Sequence, residues 1–144
     1  RIGLYSELAR RIVVEARARI AERGYRATPD DIRRCRQDMI READRWQMLI
    51  SGRDFYSISG CRDLLFNVME HRFTIPQIAA LLDDNGLSFL RFDPFDDPTV
   101  IASFHRQFAG AADEANLDQW HRFEADHPET FLGMYVFTAR KTAG

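Results

Sequence analysis

A single lysine, two cysteines and five prolines among 144 residues leave few markers of an unusual environment. No apolar run approaches the roughly 18 residues that a membrane-spanning helix needs, so no membrane span is expected. No signal-peptide pattern opens the chain. Neither Cys35 nor Cys61 sits in a C-x-x-C or other metal spacing, and each lies within an apolar helical pattern. The expectation is two free buried thiols in a reducing, cytoplasmic setting. The four histidines, His71, His105, His121 and His127, form no H-x-x-x-H or H-E-x-x-H pair, which disfavours a metal centre. There is no G-x-S-x-G, no Walker loop and no G-x-G-x-x-G, so nucleophilic hydrolysis and phosphate cradling lack support. Internal repeats and low-complexity tracts are also absent.

What is present is a globular composition, 45% hydrophobic and 12% aromatic, in a chain long enough for one domain spanning residues 1–144. The net charge of −2 conceals an asymmetry. Residues 1–45 carry 12 basic against 8 acidic side chains, and the remainder 8 against 14. An arginine-rich segment can mark a nucleic-acid surface, but here acids are interleaved with the arginines, which favours a compositional bias over a nucleic-acid partner.

In chain order, Ile2 to Tyr5 reads as a short strand. Leu8, Ile12, Ala16 and Ile20 then recur every four residues in a helix closed by Gly24. Thr28 caps a second helix with Pro29 in its first position, and Ile32, Cys35, Met39, Ala43, Trp46 and Ile50 predict that it runs on to Ile50. The two helices form an antiparallel hairpin over about 7–50, read either as a solvated face over a core-facing seam or as a partner-binding surface. The densest signals lie between Asp54 and Asp93. A helix from about Gly60 to His71 is expected, with Cys61, Leu64, Leu65 and Val68 on its apolar side. Thr74 and Gln77 make a capping box, Phe73 and Ile78 a hydrophobic staple, and Pro76 sits in the first turn of the next helix. Ile78, Leu81 and Leu82 give it an apolar face, and Gly86 ends it in a left-handed residue before a strand from Leu87 to Phe92. Residues 93–98 read as a turn, from which Asp97 and Pro98 open a helix bearing Val100, Ile101, Phe104 and Phe108. Ala109 to Ala115 has the weakest pattern. Leu117, Trp120 and Phe123 mark a short helix ended by Pro128, and Phe131 to Ala139, apolar on both alternations, predicts a strand in the middle of a covered sheet.

The chemistry left to consider is the stripe Asp63, Asn67, Glu70 and His71, beside Tyr56 and Arg62. An imidazole next to carboxylates is suited to general-base work near neutral pH, and His71 is the catalytic candidate on that ground. The same spacing also describes the wet side of an amphipathic helix.

The run FYSISGCRDLLFNVMEHRFTIPQIAALLDDNGLSFLRFD, followed by PETFLGMYVFTARK, resembles the C-terminal half of a class I S-adenosylmethionine-dependent methyltransferase, of the bacterial type often joined to tetratricopeptide repeats. The resemblance implies an α/β fold: a partial Rossmann-like sheet of strands five to seven, the last antiparallel and lying between the other two, with the helical hairpin inserted after the fifth. It implies S-adenosylmethionine as cofactor, an unidentified methyl acceptor, and Tyr56, Arg62, Asp63 and Glu70 with His71 on the substrate side. The glycine-rich cofactor loop and the acid after the second strand belong to the first four strands, which this sequence lacks. With no methionine at the start, the expectation is a fragment that binds the cofactor poorly alone and leaves an open sheet edge prone to self-association. A non-enzymatic helical interaction module is the alternative.

Overall fold

A computed structural model describes residues 1–67, 69–93 and 98–142. Val68, assigned above to an apolar helix face, and the turn residues 94–97, including the helix-opening Asp97, lie outside the described residues. The chain divides into two compact units, Arg1–Arg10 with His71–Gly144, and Arg11–Glu70. None of the described helices is long and apolar enough to cross a membrane.

The first unit is built on a four-stranded sheet of order β2-β1-β4-β3: β1 (Ile2–Ser6), β2 (Arg72–Phe73), β3 (Leu87–Phe92) and β4 (Tyr135–Lys141). β4 runs antiparallel to both neighbours, with Leu4 opposite Tyr135 and Phe92 opposite Phe137, so β1 and β3 are parallel to each other. The central place of β4 is the one expected from its two-sided apolar pattern, with Tyr135 and Phe137 fully buried on one face and Val136 and Thr138 half-buried on the other. The strand begins at Tyr135, four residues later than the pattern predicts. The edge expected to be open beyond β1 is closed in part, because β2 pairs in parallel with Tyr5 and Ser6. At the other edge, a register shift between Phe89 and Arg91 interrupts the ladder of β3, a common way of blunting an edge strand.

Helix α5 (Ile75–Asp84) starts where the sequence places it. The Thr74 amide donates to Gln77 Oε1 at 2.8 Å, and the Gln77 amide donates to Thr74 Oγ1 at 3.4 Å. Its buried face is Ile75, Ile78 and Leu82; Leu81, expected on that face, is exposed. Gly86, at φ +61°, releases the chain into β3. Helices α6 (Pro98–Gln107) and α7 (Leu117–Asp126) complete the core around Phe92, Phe104, Trp120, Phe123 and Phe131. The weakly patterned segment between them is held by side chains of its own neighbourhood. Gln119 Nε2 donates to Ala111 O, the Trp120 indole donates to Glu114 O, and His105 meets Glu114 at 2.7 Å.

The second unit is helical. Helix α1 (Arg11–Arg23) begins later than the apolar spacing implies, because residues 7–10 form a turn. Helix α2 (Pro29–Arg41) has the expected Thr28 cap, but it does not continue to Ile50. The backbone leaves helical geometry at Glu42 (φ −110°, ψ 44°), and α3 (Ala43–Ile50) follows. The Glu42 carboxylate accepts from Arg19 of α1 and from the Trp46 indole N–H, bonds that hold the residue at the break. The unit extends past the expected 7–50 hairpin and takes in everything to Glu70. Its core is Ala16, Ile32, Cys35, Met39, Trp46, Phe55, Cys61 and Leu65.

The helix expected from Gly60 to His71 is the largest departure. Ser57 caps a one-turn helix α4 (Ile58–Cys61), its Oγ accepting from the Gly60 amide at 2.9 Å. The chain then widens into a π-helical turn over Arg62–Phe66. Asn67 ends it in an extended conformation (φ −86°, ψ 112°). The Asn67 amide donates five residues back to Arg62 O, and its side chain accepts from the Met69 amide, a local bond that competes with helix continuation. Gly60 is needed where it stands, because a Cβ there would lie 2.8 Å from the Asp54 carbonyl oxygen.

Candidate functional site

The structure does not assemble the stripe Asp63, Asn67, Glu70 and His71 on one helix face, because the helix ends at Phe66. Asp63 accepts from Asn67 at 3.4 Å. Glu70 is paired with Arg17 at 3.1 Å, with only 10% of the Arg17 and 6% of the Glu70 side chain exposed, so its carboxylate holds a structural ion pair and does not face water. Arg62 donates to the Ala27 carbonyl, and Tyr56 turns an exposed ring outward while its carbonyl accepts from Arg36. His71 is exposed and makes no hydrogen bond or ion pair among the described residues. The neighbouring carboxylate that motivated a general-base role is therefore not bonded to it.

Arginines of the helical unit are largely engaged by its own acids and carbonyls. Arg33, Arg34 and Arg41 pair with Asp30, Asp31 and Asp38 three residues before them, and Arg45 pairs with Glu15 across helices. This favours the solvated-face reading of the hairpin over a basic docking stripe. Burial pushes the Cys35 thiol up to about 12 and the Cys61 thiol up to about 11, so both are held as unreactive thiols. No group of three or more His, Cys, Asp or Glu side chains converges as a metal site among the described residues.

In open α/β sheets, ligands bind beyond the carboxyl ends of the parallel strands. Here that end carries Ser6 at the close of β1, Asp93 just after β3, and the segment 128–134 leading into β4. Two features of the first unit meet there. One is a cleft of about 670 Å³, walled by Val100 and Ser103 of α6, Phe123 and Asp126 of α7, and His127 to Thr130, Leu132 and Gly133. The His127 ring packs against Phe123 at 4.4 Å between centroids, and Thr130 Oγ1 donates to the His127 carbonyl, which fixes this turn.

The other is a buried polar triad that composition and spacing did not single out. Ser6 and Tyr135 are fully buried and Glu124 nearly so. Ser6 Oγ donates to Glu124 Oε1 at 2.5 Å, and the Tyr135 hydroxyl reaches both carboxylate oxygens at 2.7 and 2.8 Å. Ser6 Oγ in turn accepts from the Ala9 amide. Burial, opposed by the Ser6 hydroxyl and reinforced by Glu124, drives the Tyr135 phenol far above its ordinary range, so it remains a donor. The triad ties the end of β1 to α7 and to the start of β4. Its sequence signal was present: Glu124 lies four residues after Trp120, on the apolar side of α7. Tyr135→Phe, which removes a donor from a buried carboxylate, is expected to cost about 1–3 kcal/mol in urea unfolding, and a loss within error would show that the bond is not made in solution.

Compared with known proteins, the chain matches no family model, no curated protein and no solved structure.

Proposed function

We propose that this chain is the C-terminal part of an S-adenosylmethionine-dependent methyltransferase, supplying sheet strands and a substrate-side cap. The observation that carries the reading is topological. An antiparallel strand, β4, lies between two mutually parallel strands, β1 and β3, and a helical unit is inserted after β1. That order fits strands five, seven and six of the methyltransferase sheet, with the insertion where such enzymes often build their substrate cover. Methyl transfer is an in-line attack on a sulfonium methyl group, and the protein's task is chiefly to align the two reactants and, where the nucleophile requires it, to accept a proton. On this reading the cleft beyond β1 and β3 faces the acceptor side. The two free thiols fit a reducing, cytoplasmic setting for such an enzyme.

The cofactor-binding half must then be encoded ahead of Arg1. The reading is tested by the coding sequence upstream: a strand, a glycine-rich turn and an acidic residue roughly 20 positions on are expected. Upstream sequence without that pattern would leave the topology as a coincidence of small mixed sheets.

A further inference from the structure

The turn between α5 and β3 carries the pair Asn85 and Gly86. An asparagine followed by glycine is the dipeptide in which the main chain most readily attacks its own side chain, because glycine has no Cβ to shield its nitrogen. Gly86 N forms a bond to Asn85 Cγ and gives up its proton to water, and the Cγ–Nδ2 bond breaks to release ammonia. Water then opens the five-membered imide at either carbonyl. One opening leaves aspartate; the other leaves isoaspartate, in which the main chain runs through the former side-chain carbonyl. The net change consumes the amide and a water and yields a carboxylate and ammonium, with no other reactant.

The folded turn holds this pair away from that reaction. Ring closure needs Gly86 N to eclipse Asn85 Cβ about the Cα–C bond. At ψ 8° it eclipses the Asn85 nitrogen instead, so Cγ is turned away from it. Asn85 Nδ2 donates to the Leu81 carbonyl at 2.7 Å, which directs the side chain back along the helix. The Gly86 N–H that must be lost donates to Asp83 O at 3.1 Å. Gly86 O accepts from the Thr142 amide at 2.9 Å and from Thr142 Oγ1 at 2.5 Å, which fastens the turn to the residue after β4. Rotating ψ of Asn85 to the reactive position turns the Gly86 N–H off Asp83 and displaces the chain that Thr142 holds.

We propose that Asn85 is a self-modification site, converted to aspartate or isoaspartate at a rate set by opening of the α5–β3 turn, and that conversion prevents the turn from closing as before. The acid cannot donate to Leu81 O, and it adds a carboxylate after Asp83 and Asp84 at the negative end of the α5 dipole. Isoaspartate also lengthens the main chain by a methylene just before Leu87, which pairs with Lys141. Openings that end in reaction therefore accumulate as a less stable molecule. This chemistry is independent of methyl transfer.

The test incubates residues 1–144 at physiological temperature and mildly alkaline pH, with and without guanidinium chloride. Trypsin then cleaves after Arg72 and Arg91 to release peptide 73–91, in which Asn85 is the only asparagine. Mass spectrometry reads the amide-to-acid gain, and chromatography separates the isoaspartyl form. The folded protein is expected to convert roughly tenfold or more slowly than the denatured chain, as a reaction routed through a local opening does. Thr142→Ala, at an exposed position, should raise the folded rate severalfold and leave the denatured rate unchanged. Asn85→Asp should lower the midpoint of thermal unfolding. Equal rates in the folded and denatured chains, no conversion in denaturant, a parental folded rate in Thr142→Ala, or parental stability in Asn85→Asp would each overturn the proposal.

Discussion

Replacing Trp120 by Ala is expected to destabilise the sheet-bearing unit by about 3–5 kcal/mol, the largest effect of any single truncation in it. Trp120 is fully buried and stacks on Phe104 with ring centroids 4.1 Å apart and an interplanar angle of 19°. Phe92 and Phe123 meet it edge-on at 5.4 and 5.7 Å, and Phe131 lies at 6.0 Å. Its indole N–H donates to Glu114 O at 2.9 Å, which also holds the turn between α6 and α7. Alanine would open a cavity bounded by four aromatic rings that cannot all collapse into it. Phenylalanine keeps much of the volume and should cost less, the remainder being the Glu114 bond and the lost edge of the ring system. Urea denaturation followed by the circular dichroism of each variant checks both. A loss below about 1 kcal/mol for the alanine variant would mean that the cluster is not packed around this residue.

Arg17→Ala should have a comparable effect in the helical unit, about 3–5 kcal/mol. Its guanidinium donates to Glu70 Oε2 at 3.1 Å and to the Leu64 carbonyl at 2.8 Å, on side chains almost withdrawn from water. Its Nε is buried without a partner, so the arrangement already carries one uncompensated polar atom. Removing the cation takes an ion-pair partner from a carboxylate almost withdrawn from water, and less of the cost of its desolvation is then offset. The paired replacement Arg17→Met with Glu70→Gln should recover part of the loss, because it removes the charge as well as its partner. Additivity of the two single variants would show that the groups are not coupled.

These two residues also show where sequence reading stops. The aromatic positions of α6, α7 and β4 repeat at helical or strand spacing, so Phe104, Trp120, Phe123 and Phe137 were legible as core before their mutual contacts were known. The Thr74–Gln77 box and Gly86 were legible for a different reason, since a cap is a local bond between residues three apart and a left-handed C-terminal residue is a local backbone demand. Arg17 and Glu70 are 53 residues apart, and Ser6 and Glu124 are 118 apart. No local periodicity carries such pairs. A stripe of polar residues at helical spacing suggested a wet face from Asp63 to His71, but the π-helical turn and Asn67 end the helix first and leave Glu70 buried against α1's Arg17. The cleft was written in the polar run Asp126, His127, Glu129 and Thr130 after α7, but a run of that kind at a helix end describes most surface turns. Only its position beyond the carboxyl ends of β1 and β3 distinguishes it.

The most direct measurement of the methyltransferase reading is calorimetric titration of S-adenosylhomocysteine into two proteins: residues 1–144, and the same chain with the upstream strands that the reading requires. The account predicts no detectable saturation for the first, because it carries no glycine-rich loop, and binding in the micromolar range or tighter for the second, as roughly expected of a cofactor site. Tight binding by residues 1–144 alone, or none by the extended chain, would contradict it.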